Sequence, residues 1–459
     1  MNKIKHKIPV QTGDLIKMDV ESLASSGDGI CRHKGYAIFL PTALPGDSVT
    51  VKIVKTTPRF GVARVDQRLK QSKDRIEAPC SVFPECGGCK LQNLSYQKQL
   101  EFKVEVLYDS IKRIGKIEGP ESINIIPSDL PYYYRNKAGF AVQKRNKKLS
   151  IGFYRQGTHE VIDSKTCDAL LPPINIVKEI TRNIIEVFKI SIYNEVHHKG
   201  FLRNIIVRHS SSTGDTLLGL VSTKGTFSRK FIEKLAEKIS LTGTKLSGIV
   251  QNINTEKNNV ILGNYNRILW GKSFMIDRLG NLNFHLSLPT FFQANPEQTV
   301  KLYDLIQRWT KRTPGLAIDA HSGAGGIALW LAQSGQKVVG FEEFSGSAND
   351  AIKNAEINGL TSCHFFSGTA EHHLSKWKES ESPAAIVLDP PRKGCSEELI
   401  SSATRLKPKQ IIYVSCNPST LARDLARLNK LGYKVSALHM IDMFPQTQHV
   451  ESATLLLPQ

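Results

Sequence analysis

Three short runs place reactive side chains where apolar stretches stop. Cys416 follows the apolar run Gln410–Ser415 and precedes Asn417-Pro418, where a helix is expected to begin. A thiolate is a strong nucleophile, and a helix N-terminus is expected to lower the pKa of such a cysteine. An inert core cysteine is the alternative for a lone Cys, but the strand-end position before an Asn-Pro turn argues for reactivity. Asp389-Pro390-Pro391-Arg392 ends a second apolar run. Its two prolines forbid further pairing and stiffen the turn, so the carboxylate is held at the strand end. Met443-Phe444-Pro445-Gln446-Thr447-Gln448-His449-Val450-Glu451 ends in a carboxylate able to act as a general base. A glycine-rich loop, Asp319-Ala320-His321-Ser322-Gly323-Ala324-Gly325-Gly326, follows a further apolar run and lets backbone approach a ligand closely. About twenty residues on, Glu342 ends the next such run, where an acid can hold ribose hydroxyls. A solvated strand-end acid is the bland reading of Glu342.

The elements needed to position these groups are legible from about residue 296. The pattern predicts a helix over 297–310. Strands follow at 315–320, 337–342, 384–389, 410–415, 433–440 and 452–457, with helices near 327–334, 346–358, 396–405 and 418–430. Alternating strands and helices predict a parallel sheet covered on both faces, with ligands at the carboxyl ends of its strands and the last strand antiparallel. The fold class expected is α/β over 291–459, and pattern and motifs together resemble a Rossmann-like methyltransferase domain.

Upstream, residues 12–66 read as short strands broken by turns, which suits a small OB-like β-barrel of a kind that binds single-stranded nucleic acid. The Gly-x-Gly around Asp28 and Ala43-Leu44-Pro45-Gly46-Asp47 resemble a TRAM domain, placed at 8–68. Residues 96–116 carry helical periodicity, and 125–290 look mixed, so 69–290 is read as a central α/β domain. The chain of 459 residues carries a net charge of +19. Residues 1–300 hold 44 Lys/Arg against 27 Asp/Glu, and residues 301–459 hold 17 against 15. A basic appendage on a near-neutral unit points to a polyanion partner, with a merely solubilising surface as the alternative. Basic and aromatic residues interleave at Tyr132–Lys137 and cluster at Lys144–Lys148; each run is a candidate for stacking bases and holding phosphates, or an ordinary core and turn. No apolar stretch approaches a membrane span, and the basic Met1–Lys7 leads into no apolar segment, so the expected compartment is the cytoplasm.

Phe291-Phe292-Gln293-Ala294-Asn295, Asp389-Pro390-Pro391-Arg392, Ser415-Cys416-Asn417-Pro418 and Phe444-Pro445-Gln446-Thr447-Gln448-His449-Val450-Glu451 together resemble the RNA uracil-5 methyltransferase family over nearly the whole chain. The resemblance implies that Cys416 adds to C6 of uracil, that S-adenosyl-L-methionine donates the methyl group to C5, and that Glu451 removes the C5 proton. It implies cofactor contacts from Gln293, His321, Glu342 and Asp389. Where the family usually has an aromatic residue and a cysteine, this chain has His321 and Ser322, which puts contacts there in question.

Cys80, Cys86 and Cys89, with Cys167 downstream, form a soft thiolate set suited to zinc or an iron–sulfur cluster; spacing alone does not choose. Similarity to the family's [4Fe-4S] motif implies the cluster. The barrel and the four cysteines lean the expected substrate to 23S rRNA, with its uridine flipped out. A tRNA T-loop uridine is the alternative, and a catalytically silent RNA-binding assembly factor is the reading from another class. The basic appendage argues against a small-molecule methyltransferase. No obligate protein partner is inferred.

Overall fold

An eight-stranded sheet carries the C-terminal half of the computed structural model, which describes residues 8–117, 122–378 and 382–459; the basic Met1–Lys7 lies outside them. The strand order is Cys363–Ser367, Val338–Glu342, Ala317–Asp319, Ala385–Leu388, Gln410–Ser415, Glu451–Pro458, Tyr433–Ile441 and Asn124–Ile126. The first five are parallel. Glu451–Pro458 inserts antiparallel between Gln410–Ser415 and Tyr433–Ile441, as its short connection requires. Alternation along each strand divides the two faces. Val387, Ile412 and Val414 pack with Leu302, Ile306 and Ile327 on one side; Ile386, Leu388, Ile411 and Tyr413 pack with Leu399, Leu425 and Leu428 on the other.

Two edge strands were not foreseen. Cys363–Ser367 exposes alternate residues and has no long apolar run. Asn124–Ile126 comes from far upstream and pairs with His439–Ile441. The helix Tyr96–Ser110, continued by one π-turn at Ile111–Gly115, buries Leu100 and Leu107 against the same face of this sheet. Residues 96–115 and 124–126 therefore pack with the C-terminal sheet rather than with the central segment.

The central segment forms a seven-stranded sheet, with Leu202–His209 and Asp215–Ser222 near its middle and the helices Pro172–Val187 and Arg229–Ser240 in its core. Arg145 pairs with Lys148 at a hairpin whose turn residues, Asn146 and Lys147, both have positive φ. The basic run Lys144–Lys148 is thus an exposed hairpin end.

The N-terminal sheet has six strands rather than five, in the order Leu15–Asp19, Ser48–Thr56, Phe60–Lys70, Tyr36–Leu40, Gly29–His33, Ser22–Leu23. Its two outermost strands are separated by only two residues in the chain, so the sheet must curl until its edges meet. Asp47 locks that corner. Its buried carboxylate accepts from the backbone N–H groups of Leu44 (2.9 Å) and Ser72 (2.8 Å) and pairs with Arg75 at 2.5 Å. Burial alone would raise its pKa, but Arg75 and the two N–H donors outweigh it and hold Asp47 below the ordinary carboxylate range. Stability from this group is therefore present above the unfolded-state value, about pH 4, and is lost as pH falls through the lowered folded value. Asp47→Asn leaves Arg75 without its carboxylate; urea titration at pH 7 should show a loss of about 3 kcal/mol. The loss should shrink as pH is lowered through the folded pKa.

Candidate active site

The carboxyl ends of the parallel strands open onto a cavity of about 950 Å³. Gln293, His321, Glu342, Asp389, Cys416 and Glu451 all line it. Sheet register explains one pairing among them. Ser415 pairs with Ser452, so one step further along the antiparallel ladder Cys416 stands across from Glu451. Antiparallel neighbours directly opposite share a face. Asp389, beyond the end of Ala385–Leu388, adds a second acid on the same side.

The electrostatics differ from the sequence expectation. Burial, then Glu451 and Asp389, push the Cys416 thiol up to about 11, while Arg392 partly opposes them. The expected lowering by the following helix is outweighed because the thiol sits among buried acids. Burial raises Asp389 to about 7. Burial and Asp389 raise Asp319 to about 7 and Glu451 well above the ordinary glutamate value. The lining thiol Cys416 and the lining acids Asp389 and Glu451, all held towards neutrality, form a site that a cation would return to the charged forms.

The glycine loop forms the other wall. Glu342 Oε2 accepts from Gly323 N at 2.9 Å and Oε1 from Phe344 N at 2.8 Å, tying loop to strand end. A Cβ on Gly326 would come within 2.3 Å of the Tyr303 hydroxyl, so only glycine fits there. His321 Nδ1 is buried without a hydrogen-bond partner. Burial, with a smaller push from Lys393, lowers His321 to about 4 despite Glu371, so the ring is neutral at pH 7 and able to accept from a ligand donor. Asn136 holds the Gln293 segment through Nδ2 to Gln293 O (3.2 Å) and N to Ala294 O (2.9 Å).

Some lining residues lie in the runs singled out from the sequence but had no role of their own there. Arg135 lies 5.7 Å from the Phe444 ring centre and reaches the cavity. His449 Nδ1 is 3.4 Å from Arg392 Nη2. Phe291 is an exposed aromatic at the cavity. The interleaved run Tyr132–Lys137 was the only signal for Arg135, and Tyr134 within it is core, its hydroxyl donating to Pro445 O at 3.0 Å.

The sequence model of the tRNA (uracil-5-)-methyltransferase family matches residues 95–459, and that of the TRAM domain matches residues 9–65. The chain belongs to this RNA uracil-5 methyltransferase family. An uncharacterised RNA methyltransferase of Halalkalibacterium halodurans is 38% identical over 98% of this chain and 99% of its own length. One from Listeria monocytogenes is 39% identical over 96% and 97%. The crystal structure of Pyrococcus abyssi tRNA (uracil-54, C5)-methyltransferase in complex with S-adenosyl-L-homocysteine is similar with a TM-score of 0.76 and 27% identity, covering 96% of this chain and all of that one.

In this uracil-5 methyltransferase family member the four remaining candidate residues, Cys80, Cys86, Cys89 and Cys167, are free thiols and partly exposed. A bridge between Cys86 and Arg155 docks their loop on the central sheet. Burial first, then Cys167, Cys86 and Cys80, push Cys89 up to about 12; burial, then Cys86 and Cys80, push Cys167 up to about 11 despite the Ala169 N–H and Arg135. The four sulfurs thus converge within electrostatic reach of one another. Among the described residues, no group of three or more His, Cys, Asp or Glu side chains is arranged to hold a single metal ion.

Proposed function

We propose that this protein methylates C5 of a uridine in 23S rRNA, using S-adenosyl-L-methionine, through a covalent adduct at Cys416. The observation that carries the reading is the placement of a partly buried thiol and a buried carboxylate across from one another, one step beyond the Ser415–Ser452 pair and beside Asp389, in a cavity large enough for a nucleoside-sized ligand. S-adenosyl-L-methionine supplies an electrophilic methyl carbon and a positive sulfonium, the charge that a site of raised acids favours. The unpartnered His321 Nδ1 and the Glu342 carboxylate fit its polar groups.

Cys416 adds to C6 of uracil, and the electrons of the C5–C6 bond move to C5, which becomes nucleophilic. Arg392, which favours the thiolate, assists this addition. C5 then forms its bond to the methyl carbon as the donor's sulfur–methyl bond breaks. Glu451 takes the C5 proton, the C5–C6 double bond re-forms and the bond to Cys416 breaks. A stacked base cannot meet these groups, so the uridine is flipped out or single-stranded. The TRAM barrel and the basic N-terminal two-thirds serve as the RNA-holding appendage. Gln293 completes the donor contacts.

Cys80, Cys86, Cys89 and Cys167 are assigned to a [4Fe-4S] cluster, with zinc as the alternative. Support for the reading is that the four sulfurs lie within electrostatic reach of one another and that the Gly88 N–H, 3.4 Å from Cys86 Sγ, suits a sulfur ligand. Such a cluster would serve RNA recognition, as no methyl-transfer step needs it. The assignment to the cytoplasm belongs to the same reading.

The P. abyssi tRNA enzyme favours a second substrate, a tRNA T-loop uridine, because its likeness spans nearly the whole chain. Tritium release from C5-labelled uracil in unmodified 23S rRNA and in tRNA, with anaerobically purified protein, separates the two. Release from rRNA alone is expected. Release from tRNA alone would move the substrate, and release from neither would leave a catalytically silent RNA-binding protein.

A further inference from the structure

The loop that joins Tyr433–Ile441 to Glu451–Pro458 is held from outside at nearly every residue. Four consecutive carbonyls are each taken by a different segment. Met443 O accepts from Asn295 Nδ2 (3.2 Å) and Phe444 O from Lys103 Nζ (2.9 Å). Pro445 O accepts from the Tyr134 hydroxyl (3.0 Å), and Gln446 O from the N–H groups of Lys90 and Leu91 (3.0 Å each). Gln446 sits at φ 67°, a left-handed conformation that a non-glycine residue keeps only when its surroundings impose it. Those surroundings are Gln99, whose side chain bonds both Gln446 N and Gln446 Oε1 at 3.0 Å.

At the loop's start Lys103, fully buried on the helix Tyr96–Ser110, meets the fully buried Asp442 at 2.5 Å. Tyr96 donates to the same carboxylate at 2.7 Å. A buried ion pair contributes little net stability over an apolar pair of the same shape, because both charges leave water. Its two partners do fix a geometry. Here Lys103 spans Asp442 and the Phe444 carbonyl, so it sets the path of the loop that delivers His449 and Glu451 to the cavity.

We propose that Lys103 and Asp442 are positioning residues for the base: they hold the Asp442–Val450 loop so that the Glu451 carboxylate reaches the C5 proton. The inference rests on the reading of Cys416 and Glu451 given above. A base must lie within hydrogen-bond reach of the proton it takes, and a misplacement of about 1 Å costs roughly a hundredfold. Cys416 and Asp389 hang on other strands, so loosening this loop should spare adduct formation and methyl transfer and slow only the later proton removal.

The test is the double variant Lys103→Met/Asp442→Asn, which removes both charges and strands neither, with Lys103→Met alone beside it. Adduct is measured as RNA held to denatured protein on a gel, and product as tritium released from C5. Binding of S-adenosyl-L-homocysteine reports an intact cavity. The double variant should accumulate adduct at about tenfold or more above wild type, with tritium release reduced by a similar factor and S-adenosyl-L-homocysteine affinity unchanged. A reduced rate with the wild-type ratio of adduct to product would mean that the pair serves folding alone, and would overturn the proposal. Absence of tritium release from wild type itself would instead overturn the reading of the site, and the role of Lys103 and Asp442 with it.

Discussion

Replacing Cys416 with alanine should abolish methyl transfer, lowering product formation by about 10⁴-fold or more, as expected when a covalent nucleophile is lost. Without the sulfur, C5 of uracil is never activated, and none of the acids around it can substitute. The variant should bind S-adenosyl-L-homocysteine as wild type does, since Gln293, His321 and Glu342 lie on other segments of the cavity wall. It should form no RNA adduct. The protein should keep its fold, because Cys416 is only partly buried and the small side chain removes little packing. Mass spectrometry of the RNA product and calorimetry of cofactor binding check both halves. Substantial residual methylation would sink the covalent mechanism.

Glu451→Gln should give the opposite signature from the same site: one methyl transfer per enzyme, a long-lived covalent RNA adduct, and tritium release slowed by about 10²–10⁴-fold, the range for loss of a general base. The electrostatics make this variant a clean test. Burial and Asp389 hold the Glu451 carboxyl well above the ordinary glutamate value, so the empty site disfavours its charged form. A neutral amide of the same shape therefore perturbs the resting protein little, and chemical denaturation should give wild-type stability or slightly more. The cost should fall only on the step that needs the carboxylate. Normal tritium release with no adduct would remove Glu451 from the role of base. Read together with Lys103→Met/Asp442→Asn, the two experiments separate a missing base from a misplaced one.

The chain order alone carried the architecture of the C-terminal half. Buried parallel strands must be continuous apolar runs, so Gln410–Ser415 and Ala385–Leu388 announce themselves, and whatever follows such a run lies at the ligand edge of the sheet. That is why the sequence alone places Cys416, Asp389, Glu342 and the glycine loop at one sheet edge. Glu451 was legible differently, as the carboxylate that ends the run 443–451 just before the strand expected at 452–457.

Tertiary structure alone decided the rest. The expected low pKa of Cys416 rested on its local helix; in the fold its burial, and after that Glu451 and Asp389 from two other strands, outweigh that local effect. Lys103 reads as one more surface lysine on an amphipathic helix until the fold brings Asp442 against it across 339 residues. Gln99 and Tyr134 meet Gln446 and Pro445 over similar separations. Cys167 joins the other three cysteines only because the central sheet carries their loop beside it. Periodicity records which residues one element buries, and a motif records which atoms react. The partners that position those atoms are chosen by packing between distant segments, for which no local pattern in a single sequence exists.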